Sequence, residues 1–167
     1  LAAGLDKEAL RILAVDDSLE TREYFTHLFE ELGVACDVAA GGREALALLK
    51  GNEGTPYNVF FIDWNMPGLN GVEVTKRIRD ITGDSAIIIM MSVAEWTEIE
   101  KEAKEAGVNS FVPKPLFASS IIDCLNACMG IPAKVERRRG KSGIDLTGRF
   151  QGHTILVAED VEVNREI

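Results

Sequence analysis

A chain of 167 residues with 46% hydrophobic and 27% charged side chains has the balance of a globular protein. At that length about two-thirds of the surface of the unfolded chain can be buried. A net charge of −9 argues against nucleic acid as the main partner, and no apolar run approaches the ~18 residues of a membrane span, the longest being residues 86–91.

Five short apolar runs alternate with segments of helical periodicity. The runs cover residues 12–15, 35–39, 59–62, 86–91 and 111–112. The first, third and fourth are almost wholly apolar, which suits strands covered on both faces of a parallel sheet; the second alternates more and is expected at an edge. The first helix should start after Ser18, a good N-cap, carry the stripe Tyr24, Phe25, Leu28, Phe29 and Leu32, and stop at Gly33. The second carries Ala45, Leu48 and Leu49, and the third Val72, Val74 and Ile78. The fourth is expected from Trp96 to Ala106, ending at Gly107, with so many charges that much of it faces water. The fifth covers 118–129 and offers Ile121, Ile122, Leu125 and Met129. Such alternation implies an α/β fold, a doubly wound five-stranded parallel sheet with helices on both faces; the flavodoxin-like order 2-1-3-4-5 is expected by analogy with known doubly wound folds, not from the alternation itself.

Beyond residue 130 the texture changes. Residues 131–152 hold Arg137, Arg138, Arg139 and Lys141 among glycines and read as a basic linker, a solvated spacer in preference to a contact for an acidic partner or nucleic acid. An internal repeat follows: Ile12-Leu13-Ala14-Val15-Asp16-Asp17 matches Ile155-Leu156-Val157-Ala158-Glu159-Asp160, and the same register aligns Arg22-Glu23 with Arg165-Glu166. The second copy is too short for a core, so its apolar run is expected to be disordered or paired with a sheet edge. No Met opens the chain and the repeat breaks off at Ile167, from which a piece of a longer protein is expected.

Polar residues fall where the buried runs end. Asp16 and Asp17 close the first and Asp63 the third; Ser92 closes the fourth and Lys114 the fifth. If strands one and three are neighbours, three carboxylates converge, and one would be forced to take a proton unless a cation intervened. Oxygen ligands of this kind suit Mg²⁺ together with a phosphate. A hydroxyl and an ammonium in the same crevice would complete a phosphoryl-binding site. Each residue alone has a plainer reading, as a strand-end acid, a loop serine or a surface lysine. Gly41-Gly42 and Gly51 form neither GxxxxGK[ST] nor GxGxxG, so no nucleotide loop is indicated. His27 and His153 read as structural or exposed side chains, and Cys36, Cys124 and Cys128, with no CxxC and no nearby His, as reduced, mostly buried thiols.

The motifs Val15-Asp16-Asp17-Ser18, Asp63-Trp64-Asn65-Met66-Pro67-Gly68-Leu69-Asn70-Gly71, Ser92 and Lys114-Pro115 resemble those of receiver domains in response regulators and hybrid histidine kinases. The resemblance implies a domain at 11–130, preceded by a linker at 1–10, and the opening of a second receiver at 153–167. It implies phosphorylation of Asp63 in a phosphorelay, with a histidine kinase or histidine phosphotransfer protein as partner. Asp17, Asp63 and the backbone carbonyl of Asn65 would bind Mg²⁺ directly, and Asp16 mainly through water. Ser92 would take a phosphoryl oxygen, Lys114 would pair with Asp63 or its phosphate across a cis Lys114-Pro115 bond, and Phe111 would be the aromatic switch or simply a core ring. A cytoplasmic location is expected, with no contact by this segment to nucleic acid or membrane. Self-association could use the face of the fourth helix, fifth strand and fifth helix. The parent is expected to be a hybrid sensor kinase, with a multi-receiver regulator as runner-up.

Two rival functions stay open on sequence. One is a docking module that never uses phosphate chemistry. The other is an aspartate-based phosphohydrolase, which would need a second acid two residues beyond the nucleophile, where Asn65 stands.

Overall fold

The computed structural model describes residues 7–52, 56–92 and 99–131. The expectations for the basic linker, the second repeat, His153 and Trp96 lie outside those residues. Within them, ten elements alternate in order: β1 (Arg11–Val15), α1 (Leu19–Leu32), β2 (Ala35–Ala39), α2 (Gly42–Gly51), β3 (Val59–Asp63), α3 (Gly71–Thr82), β4 (Ile87–Ser92), α4 (Ile99–Glu105), β5 (Ser110–Pro113) and α5 (Ala118–Cys128). The strands form one parallel sheet in the expected order, β2-β1-β3-β4-β5. β3 sits at the centre with every residue buried. β2 is at an edge and half-buried, which explains its more alternating sequence.

Because successive strand side chains point to opposite faces, the sheet divides the apolar residues into two layers. On one face Leu13, Val15, Phe60, Ile62, Ile88 and Met90 pack with Ala45 and Leu49 of α2, Val72, Val74 and Ile78 of α3, and Ala103 of α4. On the other, Ile12, Ala14, Phe61, Ile89 and Met91 pack with Phe25, Leu28 and Phe29 of α1 and Ile121 and Leu125 of α5. Here Phe25, Phe29 and Phe61 form an aromatic cluster with ring centroids 5.0–6.0 Å apart, worth roughly 0.5–1.5 kcal/mol per pair beyond the area buried. Leu10, at the end of the stretch expected to be a linker, is buried in this second layer.

Local signals set the helix ends. Ser18 Oγ accepts from Thr21 N at 3.3 Å at the start of α1, and Gly33 closes it with a left-handed φ of 67°, which glycine adopts without steric penalty. At α3, Asn70 and Glu73 form a reciprocal capping box, worth about 1 kcal/mol. Arg79, near the other end of α3, donates to the carbonyls of Gly83, Ala86 and Gly107 and to Asn109 Oδ1. It thereby ties α3 to the turns that flank β4 and α4. None of the described helices is long and apolar enough to cross a membrane.

Candidate functional site

Sheet register builds the site. Val15 pairs with Ile62, so the next residue of each strand, Asp16 and Asp63, come side by side at the carboxyl end of the sheet. Asp63 pairs with Met91, and Ser92 with Pro113, which sets Ser92 and then Lys114 at the same end. Lys114 N donates to the Ser92 carbonyl at 2.9 Å. Pro113, which lacks a backbone donor, is tolerated as the last residue of an edge strand.

Lys114 Nζ lies 2.8 Å from Asp16 Oδ2 and 2.9 Å from Asp63 Oδ1, so one ammonium bridges both carboxylates. The Asp16 side chain is essentially buried, and its other oxygen accepts from Ser18 N at 2.9 Å. Asp17 is exposed at the mouth. One carboxylate oxygen from each of Asp16, Asp17 and Asp63 lies within 4.8 Å of the others. Burial raises the Asp63 carboxyl above its ordinary value, against the hydrogen bond and charge of Lys114, and the charges of Asp16 and Asp17 add to the rise. Burial pulls the Lys114 ammonium down, but its two carboxylate partners outweigh that and hold it above the ordinary lysine value. Two carboxylates thus share one ammonium, and the third, Asp17, lies beside them without an ion pair to it. An all-oxygen donor set with negative charge left over is what a hard divalent cation takes.

Ser92 is buried at the end of β4. Asn65 is exposed in the turn after β3. Phe111 is half-buried against the layer shared by α2, α3 and α4. The Lys114-Pro115 peptide is cis, as the resemblance implies. His27 is exposed beside Glu30. All three cysteines are free and half-buried, less covered than expected.

Some contributors were not singled out from sequence. Gly71 is one: a Cβ there would sit 2.5 Å from the Asp63 carbonyl and 3.0 Å from Trp64 Cα, so the start of α3 closes directly on the backbone of the acidic residue. The Asn-Gly pair of the motif carried that signal. Arg22 is another, since its Nη1 donates to the carbonyls of Asp16 and Asp17 at 2.7 and 2.9 Å.

A doubly wound parallel sheet with acids and a lysine at its carboxyl end defines the class. The family model described as response regulator receiver domain matches residues 12–126, and the chain belongs to that family. Two-component response regulator 24 of Arabidopsis thaliana is 34% identical over 123 residues, covering 74% of this chain and 86% of that protein. Peroxide stress-activated histidine kinase mak3 of Schizosaccharomyces pombe is 29% identical over 119 residues, covering 69% of this chain but 5% of that protein. Among solved structures, a chain of the CheX–CheY–BeF3–Mg²⁺ complex from Borrelia burgdorferi matches with a TM-score of 0.66 and 26% identity, covering 72% of this chain and 89% of that one.

Proposed function

We propose that the domain accepts a phosphoryl group on Asp63 from a phosphohistidine, on a histidine kinase or a histidine phosphotransfer protein. The observation that carries this reading is the bridge from Lys114 to both Asp16 and Asp63 beside the exposed Asp17. A carboxylate oxygen of Asp63 attacks phosphorus in line; the bond from phosphorus to the donor imidazole nitrogen breaks, and its electron pair stays on that nitrogen. Lys114 supports the charge on the equatorial oxygens as its hold on Asp63 loosens. Ser92, at the end of the neighbouring strand, donates its hydroxyl to a phosphoryl oxygen. Asp17, Asp63 and the Asn65 carbonyl are the residues to hold Mg²⁺, with Asp16 acting through water. When bound, Mg²⁺ would neutralise charge shared between the carboxylates and the incoming phosphoryl oxygens.

Phosphorylation would then bias the positions of Ser92 and Phe111, and through them the face of α4, β5 and α5, as a shift between two populations. That face is where a partner or a second copy would read the signal. The internal repeat, and the similarity to a short part of a long histidine kinase, favour a cytoplasmic portion of a hybrid kinase as parent, with a second receiver opening at 153–167 after a basic linker.

The test is incorporation of phosphate from acetyl phosphate with Mg²⁺ present. Uptake should be lost in Asp63→Ala and on removal of Mg²⁺ with a chelator. Undiminished uptake by Asp63→Ala would refute the assignment.

A further inference from the structure

We infer that Arg22 is a positioning residue that aims Asp17 into the cation site. The inference rests on the reading of the site given above. The neighbouring acid, Asp16, is fixed through its side chain, by Lys114 on one oxygen and Ser18 N on the other. Asp17 is exposed and must be held another way. Arg22, one turn into α1, folds back so that a single nitrogen, Nη1, donates to the Asp16 carbonyl at 2.7 Å and to the Asp17 carbonyl at 2.9 Å. Those carbonyls belong to the two peptide planes that flank Asp17 Cα. Holding both planes fixes φ and ψ of Asp17, and with them the direction in which its carboxylate leaves the backbone. Both bonds are charge-assisted, hence stronger than neutral ones. The internal repeat carries the same spacing: Arg165 stands five positions after Asp160, as Arg22 stands five after Asp17.

Two roles for this guanidinium make opposite predictions. As a nearby positive charge it would repel a divalent cation, so removing it would tighten binding. As a clamp on the backbone it makes Asp17 a better ligand, so removing it weakens binding. The Arg22→Lys variant separates the two, because it keeps the charge on a stem one bond shorter.

The experiment is Mg²⁺ titration by calorimetry on the whole chain, with far-UV circular dichroism and urea unfolding on each variant. Arg22→Gln should weaken Mg²⁺ binding about tenfold, the loss of roughly one good charge-assisted hydrogen bond. Arg22→Lys should recover part of that loss. Thr26→Ala removes the hydroxyl that donates to the Arg22 carbonyl at 3.0 Å; it alters the same helix without touching the clamp and should leave Mg²⁺ affinity within twofold. Unchanged or tighter binding by Arg22→Gln overturns the inference, as does an equal loss in Thr26→Ala. If Arg22→Gln fails to fold, Arg22→Lys decides: affinity equal to that of the unaltered chain overturns the clamp, and a partial loss supports it. Failure of the unaltered chain to bind Mg²⁺ would instead bring down the site reading, and this inference with it.

Discussion

Replacing Lys114 by methionine, which keeps most of the unbranched stem and removes the charge, should cost stability in a pH-dependent way. The ammonium is the shared partner of two carboxylates whose side chains are 1% and 7% exposed. Breaking a buried pair by deleting one partner costs about 3–5 kcal/mol. The Lys114 side chain is one-fifth exposed, so water can partly solvate the stranded acids, and the lower end, about 3 kcal/mol, is expected at pH 7. Asp63 is already raised by burial, with Lys114 the main influence opposing the rise; without it the folded-state value climbs further. A carboxyl raised in the folded state stabilises the fold below its unfolded value, and that contribution is lost as pH rises through the folded value. The deficit of Lys114→Met should therefore shrink between pH 7 and pH 4. In the unaltered chain the raised ammonium works in the alkaline range: its contribution is complete below the usual lysine value and fades as pH rises through its folded value. Urea unfolding of both proteins at pH 7, 5.5 and 4.5 measures this. A variant as stable as the parent at pH 7, or a deficit that does not change with pH, would refute the reasoning.

Gly71→Ala should destabilise the fold by roughly 1–3 kcal/mol and slow phosphoryl uptake, because the added methyl meets backbone atoms of Asp63 and Trp64 that cannot rotate away; urea unfolding and acetyl phosphate labelling report the two effects. Phe61→Ala, at a fully buried ring shared with Phe25 and Phe29, should cost about 3–5 kcal/mol in the same unfolding assay. Burial pushes the Cys36 thiol up to about 12 and that of Cys124 up to about 11. Since only the thiolate reacts, both should resist iodoacetamide at pH 8 in the native protein and label readily in urea, with peptide mass spectrometry as the readout.

What sequence made legible follows from how each signal is written. The central strands announce themselves as unbroken apolar runs, because a strand covered on both faces leaves no place for a polar residue; β3 is the clearest case. The residues at their ends could be read as one site since parallel strands deliver their last residues to the same edge. That reasoning brought Asp16, Asp17, Asp63, Ser92 and Lys114 to one end of the sheet. It did not show that Lys114 would bridge Asp16 as well as Asp63, for that depends on side-chain reach across three strands. Contacts by long charged side chains were also hidden. Arg79 serves four acceptors spread over 83–109, and Arg11 pairs with Asp37, which also accepts from the Tyr57 hydroxyl at 2.7 Å. Neither follows any periodicity, so neither can be told from an ordinary surface charge in the sequence. The burial of Leu10 was missed for a similar reason, as a single apolar residue before a strand carries no pattern.

The pairing of Val15 with Ile62 and of Ser92 with Pro113 has a consequence for how this molecule can vary. Adding or deleting one amino acid inside β1, β3, β4 or β5 would turn the pleat by half a period. The terminal group of that strand would swing to the opposite side, and the hydrophobic layers behind it would be inverted as well. Length changes are therefore confined to the connections, while the chemistry at the rim tolerates none in the strands that present it.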